Sequence, residues 1–397
     1  MSAVNRNHCP ACLTGEMITF YEAKNVPTNS CILLESKEDA NNYPRGDVDL
    51  RQCKQCGFIS NMAFDEKLTE YSGRYEETQG FSDTFNKFHR HLAEELIEKH
   101  DLHDKTIIEI GCGKGEFITL LSELGNNKGL GFDPGYRDDH IKGASSDKVE
   151  FIKDFYSEKY TQHKADFVCC KMTLEHIHPT SDFISMVRKS IGGKLDTLVF
   201  FQIPETLRIL KDCSFEDIYY EHCSYFTPGS LARLFRRNSF EVVNIETEYD
   251  DQYLTIEALP IEGEKAAEAL PIEESVEELS MLVESFKERC KQKIDYWNAR
   301  LQRFSENGMK VVLWGSGSKG VSFLTTLEAA DKIDYVVDIN PYRQGYYMSG
   351  TGQKIIAPDF LEDYKPDAVI IMNAIYTEEI TRDLRERNLH PEIIPLV

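Results

Sequence analysis

The sequence predicts an α/β protein in which two open, mostly parallel sheets follow a small cysteine-rich head. Three observations carry that prediction. An apolar run from Ile107 breaks after Ile110 into Gly111-Cys-Gly113-Lys-Gly115, resumes with helical periodicity from Phe117 to Leu124, and leads to a second strand, Leu130-Gly-Phe, that ends on Asp133. The same order recurs from Met309: a strand, the turn Gly315-Ser-Gly317-Ser-Lys319-Gly320, a helix, and Tyr335-Val-Val-Asp338. Ahead of both stand Cys9-Pro-Ala-Cys12 and Cys53-Lys-Gln-Cys56. Parallel strands need a helical crossover, so repeated strand–turn–helix–strand units imply sheets covered on both faces. The 397 residues suffice for three domains, read as 1–72, 73–260 and 261–397.

In the head, each Cys-x-x-Cys lets two thiolates bind one tetrahedral ion, and the two pairs close a four-sulfur shell from Cys9, Cys12, Cys53 and Cys56. Such a shell leaves no open position, so the expected metal is a structural Zn2+ rather than a catalytic one. A redox pair is the competing reading. Cys31 stands alone and reads as ordinary packing.

The glycine pattern at 109–115 selects the cofactor. Glu109-x-Gly111-x-Gly113-x-Gly115 resembles the first motif of class I S-adenosylmethionine (SAM) methyltransferases more than a dinucleotide fingerprint. On that resemblance Glu109 orders the amino-acid end of SAM, and Asp133 accepts the two ribose hydroxyls. Asp154 and Phe155 then fall at the adenine, and Asp166 to His176 corresponds to the fourth strand and its loop, placing Lys171 at the cofactor and His176 at the reacting centre. A helix from Phe81 to Lys99 shows an apolar stripe at Phe85, Phe88, Leu92, Leu96 and Ile97, and His89, Arg90 and His91 are expected on its solvated face.

Further along, Ser214-Phe-Glu-Asp-Ile-Tyr219-Tyr220-Glu221-His222-Cys-Ser-Tyr225 packs three tyrosines, a glutamate and a histidine into seven residues. Histidine takes up a proton near neutral pH, and tyrosine donates to a developing oxyanion. An aromatic turn capping a sheet is the plainer alternative. With this segment the whole chain resembles the sugar C-methyltransferases of deoxysugar biosynthesis: zinc head, methyltransferase core, Ser214-Phe-x-x-Ile-Tyr219-x-Glu221-His222, and a Rossmann-like tail. The resemblance implies methylation at C3 of a nucleotide-linked 4-keto-6-deoxy sugar through an enolate. It makes His222 the base, with Tyr219 and Glu221 completing its site, His176 by the ketone, Tyr75 reaching in from the N-terminal side, and Tyr225 near the sugar. Two places depart from the family pattern: Gln202-Ile-Pro204-Glu205, and Tyr220 where an acid is usual.

The tail opens with one long helix, or two in series, over Glu262 to Asn307. By spacing alone Gly315-x-Gly317-x-x-Gly320 with Asp338 would bind a dinucleotide, which makes an NAD(P)-dependent sugar-nucleotide oxidoreductase the alternative function. The family resemblance instead gives the tail a substrate role, with Gly315 and Lys319 at the diphosphate and Asn373 as a further contact. The chain is expected to end in a strand at Ile393 to Val397. A formal charge of −22 disfavours nucleic acid as a substrate, since a polyanion needs a basic track. No apolar run approaches a membrane span, and Met1 to Leu13 shows no leader pattern. A cytoplasmic protein without membrane partners, monomeric or weakly dimeric, is the expectation.

Overall fold

The structure is a computed structural model that describes residues 8–70, 72, 74–136, 148–263 and 268–396. Tyr71 and Gly73 of the lead-in to Tyr75, the first residues of the leader reading, part of the expected Glu262 helix and the terminal Val397 lie outside the described residues.

The head comprises β1 (Met17–Pro27), the short α1 (Lys37–Asn41), β2 (Arg45–Cys53) and β3 (Ile59–Asn61). The core continues with α2 (Asp83–His100), β4 (Thr106–Ile110), α3 (Glu116–Gly125), β5 (Lys128–Phe132), β6 (Val149–Ile152), β7 (Phe167–Lys171), α4 (Thr180–Ile191), β8 (Leu198–Pro204), α5 (Thr206–Asp212), β9 (Ser224–Tyr225), α6 (Pro228–Arg237), β10 (Phe240–Glu248) and β11 (Tyr253–Pro260). The tail is α7 (Val276–Glu306), β12 (Val311–Trp314), α8 (Ser318–Thr326), β13 (Tyr335–Val337), β14 (Lys354–Ile356), α9 (Leu361–Tyr364), β15 (Ala368–Ile371), α10 (Thr377–Glu386) and β16 (Glu392–Pro395).

Seven strands form the central sheet in the order β10-β11-β8-β7-β4-β5-β6. The run from β8 to β6 is parallel, whereas β11 and β10 join antiparallel. Central strands such as β7, buried at every residue, are apolar up to the terminal Lys171 because helices cover both faces. At β4 the connections leave in opposite directions, to β5 and to β7. A crevice therefore opens beyond its carboxyl end, where ligands of such sheets bind. The tail sheet, β14-β13-β12-β15-β16, is wholly parallel and has its own switch point at β12.

The head sheet is not self-contained. Its order is β1-β2-β3-β9, and β9 belongs to the Tyr219–Tyr225 segment: Ser60 pairs with Ser224 and Ile59 with Tyr225. The long helix differs from expectation at its start. It begins at Val276, where Ser275 and Glu278 form a reciprocal capping box, and Pro271 lies just upstream. It is continuous to Glu306, and its stripe of Leu279, Val283, Phe286, Cys290, Trp297, Leu301 and Phe304 is buried. Phe286 meets Phe20 and Tyr21 of β1 edge-on at 5.9 and 5.6 Å, so the helix cements head to tail. Among the described residues no helix is long and apolar enough to cross a membrane.

Candidate active site

The crevice beyond β4 is lined by the glycine loop. Gly111, Gly113 and Gly115 all take positive φ, and a Cβ on Gly111 would lie 2.1 Å from Thr173 Oγ1. Backbone amides and the end of β5 therefore come together around Asp133. Its two oxygens accept from Gly113 N at 3.0 Å and Gly135 N at 2.7 Å. Burial raises the Asp133 carboxyl above its usual range. Glu109, also buried, accepts from Ile118 N at 3.0 Å. At the end of β7, Lys171 Nζ sits 3.9 Å above the Phe117 ring and has no hydrogen-bond partner. Burial pushes Glu109 up and Lys171 down, and the opposite charge of each partly restores the other.

Two residues beside the loop were not foreseen as functional. Lys114, inside it, is buried; its ammonium donates to the Tyr75 carbonyl at 3.3 Å and lies 3.7 Å from Glu76 and 3.9 Å from Glu77. This contact lays the Tyr75 segment across the glycine loop. His89 corrects the expectation of a solvated ring, because it lies between Phe85 and Phe117 at 4.6 and 5.1 Å. Burial and the neighbouring Lys171 charge push its imidazole down to about 2, so it is neutral. By contrast, Asp154 lies at the surface, bonded to Tyr160 Oη at 2.7 Å, Lys159 at 2.9 Å and Phe155 N at 2.9 Å, and Phe155 is 64 % exposed.

The Tyr219–Tyr225 segment folds against the loop after β7. His222, 4 % exposed, places its ring 4.1 Å from that of Tyr219 and 4.9 Å, edge-on, from that of His176. Burial, with His176 beside it, holds His222 well below the usual imidazole range, so the ring is a neutral proton acceptor. His176 Nδ1 lies 3.0 Å from the Glu221 carbonyl. A carbonyl only accepts, so Nδ1 carries the proton and a neutral His176 presents an unprotonated Nε2.

Glu221 departs from its expected place beside the base. Its carboxylate faces the head, accepting from Asn29 Nδ2 at 2.9 Å and Ser30 N at 2.8 Å. It thus clamps the segment, and its backbone orients His176. Tyr220 explains its own departure from the family pattern: its ring fills the space over Gly46, where a Cβ would come within 2.2 Å, and its hydroxyl accepts from Asp65 N at 2.8 Å. Tyr225 is also a correction. It is 3 % exposed and its hydroxyl donates to the Tyr219 carbonyl, so it supports Tyr219 instead of lining a cleft.

The tail approaches the same segment but closes its own loop. Asp338 accepts from both the amide and the hydroxyl of Ser316, and the buried Arg343 reaches Ser316 Oγ at 3.1 Å and the Glu76 carbonyl. Those contacts tie the amide and hydroxyl of Ser316 and the Asp338 carboxylate to partners within the protein. Gly315, with φ +115, packs on Met372 rather than on an open crevice. Lys319 pairs with Asp217 at 3.2 Å and donates to Gln252 at 3.0 Å, and Gln252 in turn donates to Asn373 at 3.0 Å. Lys319 therefore ties the tail to Asp217, two residues before Tyr219, and Lys319 and Asn373 both bind Gln252 in the turn between β10 and β11. Cys31, likewise, lies in the seam between head and tail, 3.5 Å from Ser318 Oγ.

In the head the four thiols of Cys9, Cys12, Cys53 and Cys56 lie within 4.8 Å of one another, with Cys9–Cys56 and Cys12–Cys53 at 3.6 Å. A tetrahedral Zn–S4 centre has sulfur–sulfur edges of about 3.8 Å, so the donor set fits the ion in number, chemistry and spacing. Gly15 N also points at Cys12 Sγ at 3.2 Å, and a Cβ there would collide with Cys53 Sγ at 2.1 Å.

The chain is similar to known proteins over both its core and its tail. A methyltransferase-domain family profile matches residues 82–245, and a C-methyltransferase C-terminal domain profile matches 262–390. The C-methyltransferase NovU of Streptomyces niveus is 23 % identical over 373 residues, covering 89 % of this chain and 86 % of NovU. Magnesium protoporphyrin IX methyltransferase of Synechocystis PCC 6803 aligns over 45 % of this chain and 84 % of its own, at 16 % identity and a TM-score of 0.34. The 1,6-didemethyltoxoflavin-N1-methyltransferase of Burkholderia thailandensis aligns over 45 % and 82 %, at 14 % identity and a TM-score of 0.33. With the strand order β10-β11-β8-β7-β4-β5-β6 and the glycine loop at its switch point, the two domain profiles make this chain a class I SAM-dependent methyltransferase.

Proposed function

We propose that the protein methylates the carbon beside the ketone, C3, of a nucleotide-linked 4-keto-6-deoxy sugar through a base-generated enolate. The observation that carries the reading is the buried, neutral His222, its ring packed against that of Tyr219 and edge-on to that of His176. The match to NovU along nearly the whole chain supports carbon as the methyl acceptor. A proton next to a ketone is acidic because the enolate places its charge on oxygen. His222 removes that proton, the Tyr219 hydroxyl donates to the oxygen, and C3 then attacks the sulfonium methyl, which requires only in-line positioning. Glu109, the Gly111–Gly115 loop, Asp133 and Lys171 hold SAM in this reading, with Asp154 and Phe155 toward the adenine and Tyr75 over the methyl. Lys319 and Asn373 face the sugar nucleotide, and a structural Zn2+ on the four cysteines stabilises the head.

The test is proton exchange without methyl transfer. With a keto-sugar nucleotide and S-adenosylhomocysteine in deuterium oxide, the wild type should exchange the C3 proton. His222→Ala should lose about a hundredfold or more of exchange and methylation, with Tyr219→Phe losing less. Cofactor affinity should stay near wild type in both. Near-normal exchange by folded His222→Ala moves the base elsewhere, and methyl found on oxygen or nitrogen discards the enolate.

A further inference from the structure

Among the described residues around His222, Glu175 is an acid for which neither the chemistry above nor the structure supplies a partner. It is 1 % exposed, and both its carboxyl oxygens are buried without a hydrogen bond. One carboxyl oxygen lies within 4.8 Å of a ring nitrogen of both His176 and His222. The other titratable groups around it are Cys170 on β7, Tyr219 and Cys223 on the catalytic segment, and Tyr253 on β11. None is a cation. Burial without a counter-charge raises the Glu175 carboxyl to about 8, so it enters the reaction protonated.

That proton answers a question the tautomer of His176 poses. Nδ1–H is committed to the Glu221 carbonyl, so Nε2 has no proton to give to a nearby ketone oxygen. We infer that Glu175, His176 and His222 form a proton shuttle in which Glu175 supplies, through His176, the proton that neutralises the enolate oxygen. The inference rests on the enolate reading. The C3–H bond breaks and its proton goes to His222, while the electron pair becomes the enolate. The Glu175 proton passes to His176 Nε2 and from there to the ketone oxygen, giving the enol. When C3 takes the methyl and the S–CH3 bond breaks, the ketone re-forms and that proton returns by the same path. His222 then releases its proton with the product. The intermediate state pairs an imidazolium with a carboxylate inside one pocket, which avoids burying a lone charge. A separation of up to 4.8 Å is bridged by one water or a small side-chain rotation. Glu175 does not touch substrate in this scheme and is a positioning residue acting through His176.

The experiment measures C3 exchange against pH with saturating S-adenosylhomocysteine, for wild type, Glu175→Gln and Glu175→Asp. Wild-type exchange should fall as pH rises through about 8, where Glu175 ionises. Glu175→Gln keeps the shape but has no proton to release. It should lose about tenfold or more at pH 7 and lack the alkaline limb, with unchanged S-adenosylhomocysteine affinity. Glu175→Asp should restore the limb. Lys171 and Glu109 also titrate in this range, so loss of the limb in the variant, not the limb itself, assigns it to Glu175. A folded Glu175→Gln with a wild-type profile overturns the shuttle and leaves the base intact, whereas a wild type that exchanges no C3 proton overturns both. The infrared difference between wild type and Glu175→Gln should show the stretch of a protonated carboxyl at pH 6.5 that titrates near 8, which separates Glu175 from Glu109, raised into the same range. Absence of that band from the difference at pH 6.5, or a second bound metal by elemental analysis, also overturns it.

Discussion

The glycine loop of the core and that of the tail each follow the switch-point strand of a parallel sheet, and each is answered some twenty residues later by an acid, Asp133 or Asp338. Their surroundings differ. Asp133 accepts two backbone amides, and Glu109 and Lys171 are buried nearby. Asp338 likewise accepts two backbone amides, from Ser316 and Asn340, but it also takes the Ser316 hydroxyl, to which Arg343 donates in turn. One strap serves both: the Tyr75 carbonyl takes Lys114 of the first loop, and the Glu76 carbonyl takes Arg343 of the second. The lesson is that a strand–glycine–helix pattern creates a possible site, and the residues laid over it decide whether the site stays open.

The comparison can be broken at several points. The largest effect is expected in the head, whose sheet includes β9 of the Tyr219–Tyr225 segment. Cys53→Ser should lose about one zinc per chain, lower the melting temperature and reduce methyl transfer by at least about tenfold; a metal-free protein that stays folded and active removes the zinc from the account. Next, Asp133→Ala should weaken SAM binding more than about tenfold, or about 1.4 kcal/mol, because two ribose hydroxyls lose a charged acceptor. Asp338→Ala should leave that affinity within about twofold. Calorimetry giving equal losses for the two would erase the distinction between the loops. S-adenosylhomocysteine should raise the melting temperature in proportion to its saturation, while NAD at the same concentration should not; stabilisation by NAD would mean that the tail loop opens. The smallest effect is structural: Asp338→Asn should cost about 1–3 kcal/mol of stability through the contacts of Ser316 and Arg343, read as a lower urea midpoint without loss of activity in the folded fraction.

Much of the fold was legible. Hydrophobic runs of strand length, glycines at the turns and the apolar stripe of α7 are local patterns, and local patterns survive in the sequence. The start of α7 was misplaced by the charged stretch before it, although the capping box at Ser275 and Glu278 was available to correct it. His89 was misread because helical periodicity ranks faces by their own residues, and its burial comes from Phe117 on another element. Lys114 carried a signal, since it stands inside the glycine motif, but its partners lie in residues 75–77.

The sequence by itself determined the α/β class, the cysteine quartet, the cofactor loop with its acid and the segment bearing His222, because each is written in short spacings that backbone geometry converts directly into shape. The tertiary structure alone decided that this segment becomes a strand of the head sheet, that Glu221 faces Asn29 and Ser30 rather than His222, that Glu175 is left without a partner, and that the tail loop is shut by Arg343. The reason is physical. Burial, charge pairing and hydrogen-bond direction depend on which distant elements pack together, and no spacing within one segment encodes its neighbour across the fold.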